Sequence, residues 1–290
     1  MIQFNMVRYH KKKYPSYIPL NLEEVAGHFD IENIFPTSPY SLHTEYSYGK
    51  RIFKNALLEK YSEIIKANKN GVPQLWKNEM WAKMFAEFLI EFTNGIQEPD
   101  VIEIHPPFND YMGSIKDFIK VYKVFENVIK NKYAKTKIHI ENRCGSIYCG
   151  GQFLISTVPQ MKELCQYIES DNLKLHIALD IPQLYTSHHV TPKKCDGITV
   201  LLHELKEIRQ YIDGVHLWGK RISKGRRIAH CGNFDTYFNY DMKLKKAFLD
   251  SLRRLFDDNQ IRNLVLEVNS QNEDLFSIIE DLNKAGFTYI

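Results

Sequence analysis

The 290-residue chain lacks the marks of several protein classes. Its cysteines are Cys144, Cys149, Cys165, Cys195 and Cys231, and no two stand as Cys-x-x-Cys. An odd count without paired spacing excludes a disulfide framework or a zinc ribbon as the organising device, and the five read as reduced, mostly structural thiols. No apolar run approaches the roughly 20 residues that span a bilayer. Met1-Ile2-Gln3-Phe4-Asn5 has neither the basic region nor the apolar core of a secretory signal, so a cytoplasmic chain without a membrane partner is expected. No GxGxxG or P-loop pattern is present, which argues against a nucleotide-binding doubly wound sheet. No linker-like or low-complexity segment interrupts the chain, so residues 1–290 are expected to form one domain. Acids are also missing locally. None occurs from Gly214 to Phe234, where Lys220, Arg221, Lys224, Arg226 and Arg227 crowd together within a chain of net charge only +3. Such a basic loop suits a phosphate or another anionic substrate.

What is present is a recurrence of short apolar runs separated by amphipathic stretches. The clear runs are 101–105, 137–141, 174–180, 212–217 and 263–268, with weaker ones at 2–6, 30–35 and 286–290. Helical periodicity fills 49–68, 76–96, 115–133, 157–170, 199–211, 243–258 and 271–284. Alternating strands and helices imply βαβ units and a parallel sheet. About eight strands predict an α/β fold, a single (β/α)8 TIM barrel. Residues 7–48, rich in Tyr, Pro and Ser, are expected to hold an early strand with long loops.

Side chains alternate across a strand, so each run splits into two faces. One face is Ile102/Ile104, Ile138/Ile140, Ile177/Leu179, Val215/Leu217 and Leu266/Val268, all apolar and suited to packing under helices. The other carries Glu103/His105, His139/Glu141, His176/Asp180, His216 and Glu267. Charge inside a barrel is costly unless it is paired or binds metal. Five strands ending in His, Glu or Asp on one face predict a divalent-metal site at the carboxyl ends of the strands, where active sites of this fold lie. A mixture of imidazole and carboxylate without thiolate suits Zn or Mn over Ca or Mg. Glu103 and His139, one step deeper, are candidates to orient the ligands.

The series Ile-Glu-Ile-His105-Pro, His-Ile-Glu141-Asn142, Ala-Leu-Asp180, Val-His216-Leu and Val-Leu-Glu267-Val resembles the xylose-isomerase-like TIM-barrel superfamily over about residue 101 to the C-terminus. That superfamily includes sugar isomerases and epimerases and the endonuclease IV type of apurinic endonuclease. His105-Pro106, and Arg227-Ile-Ala-His230 after His216, resemble the endonuclease branch. The resemblance implies metal ligation by His105, Glu141, Asp180, His216, His230 and Glu267, with Glu141 and Glu267 catalytic. Where that branch has Asp-x-x-His this chain has Gln183, and the aspartate two before the later histidine is Ile228. A one- or two-metal site is therefore implied in place of a three-metal cluster. His43 is a candidate for the early-strand histidine, and His188 and His189 are alternatives for the missing ligand.

Two functions follow. The first is a metal-dependent phosphoester hydrolase, with Arg143, Gln183, Lys220, Arg221 and Arg227 binding an anionic substrate such as nucleic acid. The second is a sugar or sugar-phosphate isomerase or epimerase in which Glu141 and Glu267 move protons beside one cation.

Overall fold

The computed structural model describes residues 2–9, 12–25, 39–44, 55–67, 75–144, 147–148, 151–190 and 195–290. Its strands are β1 (Ile2–Arg8), β2 (Leu22–Val25), β3 (Tyr40–His43), β4 (Val101–Ile104), β5 (Lys137–Glu141), β6 (Ile147–Tyr148), β7 (Gly151–Gln152), β8 (Leu175–Asp180), β9 (Ile212–Leu217), β10 (Lys220–Ser223), β11 (Arg226–Ala229), β12 (Arg262–Leu266) and β13 (Phe287–Tyr289). The main sheet runs β12-β9-β8-β5-β4-β3-β2-β1, with β1 pairing back to β12. This is the strand order of a closed parallel (β/α)8 barrel, the expected fold class.

Two barrel strands depart from the sequence reading. β2 and β3 both lie in the segment expected to hold one strand and long loops. Neither repeats the aliphatic alternation of β4, since β2 reads Leu-Glu-Glu-Val and β3 Tyr-Ser-Leu-His, and burial holds them in place, with Tyr40 and Leu42 almost fully enclosed. The run at 286–290 is not one of the eight. It forms β13, which lies parallel to Ile2–Phe4 of β1. The run at 30–35 lies outside the described residues. The helix expected over 199–211 is α-helical only at Cys195–Glu204 and continues as a 3-10 turn, Leu205–Tyr211. Among the described residues, no helix is long and apolar enough to cross a membrane.

The chain divides into two compact units, Glu23–His176 and the combination of Met1–Leu22 with Ile177–Ile290. In the first, β4 and β5 pair Ile102 with Ile138 and Ile104 with Ile140, and all four side chains are buried. Full burial of each stabilises by about 1.5–3 kcal/mol. The helices over this face start at caps readable in the sequence. The Asn78 side chain accepts from the Trp81 amide, and Ser114 accepts from the Asp117 amide. Such a cap contributes about 1 kcal/mol. Trp76 is enclosed edge-on by Phe85, Phe118 and Phe125, with ring centroids 5.6, 5.3 and 5.2 Å away. Its indole N–H donates to the His105 carbonyl at 2.9 Å, so the aromatic core fixes the backbone of a candidate ligand.

In the second unit, β12 pairs with β1 and with β9. The side chain of Arg262 on β12 is fully buried. It donates to the Ile212 carbonyl at 2.8 Å and the Arg209 carbonyl at 3.0 Å, and to Asp258 at 2.6 Å. A cation this deep persists because each direction of its fork meets an acceptor.

The basic segment after β9 is a hairpin rather than a loop. β10 and β11 run antiparallel, pairing Lys220 with Ala229 and Ser223 with Arg226. Its base is held by two glycines. A Cβ on Gly219 would lie 2.4 Å from the Gly232 carbonyl carbon, and Gly232 has a φ of +86°. Only glycine permits that approach and that backbone conformation together.

Candidate metal centres

Each unit carries its own group of ligand-type side chains. In the Glu23–His176 unit, Glu24 on β2, His43 at the end of β3, His105 just past β4 and Glu141 at the end of β5 are all buried. His43 Nδ1 lies 2.9 Å from Glu24 Oε1. That carboxylate accepts the Nδ1 proton and so assigns the tautomer. Nε2 then faces inward, 3.1 Å from His105 Nε2 and 3.4 Å from Glu141 Oε2. His105 Nε2 is itself 2.8 Å from that same Glu141 oxygen. Burial opposes charge on His43, but Glu103, Glu141 and Glu24 together raise its proton affinity well above the ordinary histidine value. Burial likewise opposes ionisation of Glu141, and His105 and Arg143 overcome it, holding the carboxyl well below the usual carboxylate range.

The donor set fits a divalent cation. Two imidazole nitrogens and one carboxylate oxygen, on three different strands or strand ends, lie within 4.8 Å of one another. One histidine of the set is oriented from behind by a carboxylate, the usual support of a metal-binding imidazole. Arg143 completes this side. It donates to Glu141 Oε1 at 3.1 Å and lies over the Phe153 ring at 5.2 Å.

In the other unit, Asp180 at the end of β8, His216 on β9 and Glu267 just past β12 form a second group whose ligand atoms lie within 4.8 Å of one another. His216 Nδ1 is 3.4 Å from one Glu267 oxygen, and His230 Nδ1 is 3.3 Å from the other. Burial would raise the Glu267 carboxyl, but His230 and His216 hold it far below its ordinary value. Asp180 is fully buried and doubles as the cap of the short helix Ile181–Ser187. Its Oδ1 accepts from the Gln183 amide at 2.8 Å, and its Oδ2 accepts from the Gln183 side chain at 2.9 Å. Gln183 therefore bonds a candidate ligand directly. His230 has a φ of +55° and is fixed by its carbonyl, which accepts from the Asn269 amide at 2.7 Å.

The basic residues separate into different situations. Arg221 pairs with Asp274 through both carboxylate oxygens, at 2.9 and 3.1 Å, so this charge is offset by an acid distant in sequence. Lys220 donates to Thr186 Oγ1 at 3.0 Å, and its ammonium lies 5.2 Å from the Trp218 ring and 5.4 Å from Tyr237. Arg226 and Arg227 are exposed on β11. Arg227 lines a small cavity of about 30 Å³ with Lys220, Thr236 and Tyr237. His188 caps the end of the Ile181–Ser187 helix. Among the described residues, neither it nor His189 joins a ligand group, and neither does any cysteine. Of the two deeper residues, Glu103 lies 3.7 Å from His43 Nδ1, while His139 makes an edge-on contact with His176 at 6.1 Å.

Sequence reasoning passes over Glu24 and Trp218. Glu24 sits beside Glu23 on a strand without a clean apolar alternation. Trp218 is within reach, because extending the Gly214/His216 alternation by one step puts it on the same face.

No protein-family model and no curated protein matches the chain. Among solved structures, that described as the crystal structure of AsfvAP:AG superposes with a TM-score of 0.57 at 15% identity, covering 98% of both chains. A xylose isomerase domain protein from Alicyclobacillus acidocaldarius subsp. acidocaldarius gives 0.46 at 11% identity over 98% of both chains. One from Planctomyces limnophilus gives 0.39 at 15% identity over 70% of this chain and 62% of that one. Identities this low speak to the fold alone, and only the first superposition is close enough to bear on it. The likeness agrees with the (β/α)8 barrel that the strand pattern implies.

Proposed function

We propose that this chain is a divalent-metal-dependent phosphoester hydrolase that uses Zn or Mn and acts on an anionic substrate. The observation that carries the proposal is the His43–His105–Glu141 group with its supporting Glu24. One cation is enough to polarise a sugar carbonyl, and Asp180, His216 and Glu267 would suffice to hold it. A second imidazole-containing group, separately oriented, suits the two-cation arrangement that many phosphoesterases use. When bound, the cations would activate water and stabilise negative charge on phosphoryl oxygens. Glu141 and Glu267 accept or return protons beside the reacting centre. Arg143, held against Glu141, places a fixed guanidinium for a phosphoryl oxygen. Lys220 and Arg227 present positive charge along the hairpin to the rest of the substrate.

The isomerase reading keeps one supporting observation. Asp180–His216–Glu267 is complete within its own unit and needs nothing else to hold a single cation. The experiment that separates the two is elemental analysis of the purified protein and of a His105→Ala variant, together with hydrolysis of a phosphodiester. More than one metal equivalent in the wild type, reduced in the variant along with phosphodiesterase activity, is expected. A single equivalent that is unchanged in the variant overturns the hydrolase reading in favour of the isomerase.

A further inference from the structure

Trp218 is buried, follows His216 by two residues, and touches two candidate ligands. Its indole N–H donates to Asp180 Oδ2 at 2.9 Å. Its ring stacks on the imidazole of His230 with centroids 4.3 Å apart and planes 29° from parallel. Asp180 and His230 are brought by different elements, the end of β8 and the far end of the hairpin after β9. Trp218 bridges the two.

We infer that Trp218 is a positioning residue that fixes Asp180 and His230 relative to one another for metal binding. The inference rests on the metal reading of the Asp180–His216–Glu267 group. Asp180 Oδ2 already receives two N–H donors, from Trp218 and Gln183, and Oδ1 receives the Gln183 amide. The carboxylate can neither rotate nor swing, and it offers a cation only the lone pairs these donors leave. Oriented carboxylates of this kind bind metal with less ordering to be done on binding. The stack does the same for His230, whose backbone is also pinned. Cys231 donates its amide to the Gly219 carbonyl at 3.1 Å, and the Gly232 amide donates to Ser270 Oγ at 2.8 Å. The hairpin thus leaves the barrel immediately after Trp218 and returns His230 onto the face of that same ring. At 3% exposure Trp218 cannot stack on a substrate base, so the role available to it is toward the ligands.

The test uses the full-length protein and Zn(II) alone, with affinity read by competition against a chromophoric chelator. Trp218→Phe keeps a ring against His230 and loses the N–H, and it should bind Zn about 10- to 100-fold more weakly, the usual effect of losing a group that orients a ligand. Trp218→Leu, which also loses the stack, should bind more weakly still. His216→Ala serves as the control that removes a ligand outright. Zn binding that is lost in His216→Ala but unchanged in Trp218→Phe overturns the inference while leaving the metal reading intact. A wild-type protein that binds no Zn overturns both. Should the variants fail to fold, the wild type decides the matter by NMR of the 15N-labelled indoles. The Trp218 N–H should remain protected from exchange with and without Zn. Rapid exchange once Zn is added overturns the inference.

Discussion

Glu24 Oε1 and His43 Nδ1 face each other at 2.9 Å, and that pairing decides which nitrogen of the ring is offered inward. Replacing Glu24 with Ala frees the ring to change tautomer and to rotate. The expected outcome is a fall of about 10- to 100-fold in affinity for the metal associated with His43 and His105. Zn competition titrations of E24A and wild type check this. Equal affinities would remove Glu24 from the site.

Arg262 and Asp258 give a prediction about stability that is independent of any metal. Arg262→Ala removes the guanidinium from two backbone carbonyls and from Asp258, and should destabilise by about 3–5 kcal/mol in denaturant melts. The pH dependence has a definite sign. Burial pushes the Asp258 carboxyl up, but Arg262 and Arg209 bring it below the ordinary aspartate value. A folded pKa below the unfolded one means the stabilisation is fully present above about pH 4 and is lost as pH falls through the folded value. Asp258→Asn should therefore lower stability at neutral pH and flatten the acid side of the stability curve. A variant curve parallel to wild type from about pH 5 to about pH 2 would contradict this.

The hairpin cations should not behave alike. Arg226→Ala/Arg227→Ala removes exposed charge and should weaken binding to a polyanion, reducing the log–log salt slope by about one unit for each phosphate that is no longer neutralised. Arg221 is paired with the buried Asp274, so Arg221→Ala should act on hairpin docking and lower stability, because it removes the guanidinium from that carboxylate. Binding to single-stranded, duplex and abasic DNA across a salt series distinguishes these effects. If none of these is bound at low salt, the substrate is a small molecule and the double variant should leave its salt dependence shallow.

Gly219→Ala should be among the most damaging single changes in this region. Its Cβ would meet the Gly232 carbonyl carbon and oxygen, both at 2.4 Å, which backbone atoms cannot relieve without opening the hairpin. A reduced melting temperature together with weakened Zn binding is expected, since the same opening moves His230. A Gly225→Ala control at the hairpin tip, where no atom lies within 4 Å of a new Cβ, should show only the mild strain of its φ of +73°.

The barrel and much of both ligand groups are legible in the sequence because long β/α units announce themselves by period. β4, β5, β8, β9 and β12 each carry two or three large apolar residues on one face and an ionisable group at the carboxyl end. That pattern alone identifies His105, Glu141, Asp180, His216 and Glu267. What escapes does so for physical reasons. β2 and β3 lack the aliphatic alternation of β4, and burial rather than local pattern holds them in place. Glu24 is therefore hidden, and His43 stands out only as a candidate. The Arg221–Asp274 pair joins residues 53 apart, so local charge counting overstates the bare positive charge of the hairpin. Trp218 lies one step beyond the last ionisable residue of β9, where the alternation no longer draws attention to it.

The hairpin has a fixed base and an open tip, and this asymmetry bears on how the protein could change. Gly219 and Gly232 clamp the two ends at a spacing that tolerates no added atom, while Lys224 and Gly225 turn the chain in the left-handed region with nothing packed against Gly225. Residues could be inserted, deleted or exchanged at the tip without transmitting a shift to His230, because the clamp absorbs it. The exposed surface of the tip and the placement of His230 can thus vary independently. A lineage, or an engineer, could change the charge and length of the tip alone and leave the base of the hairpin as it was.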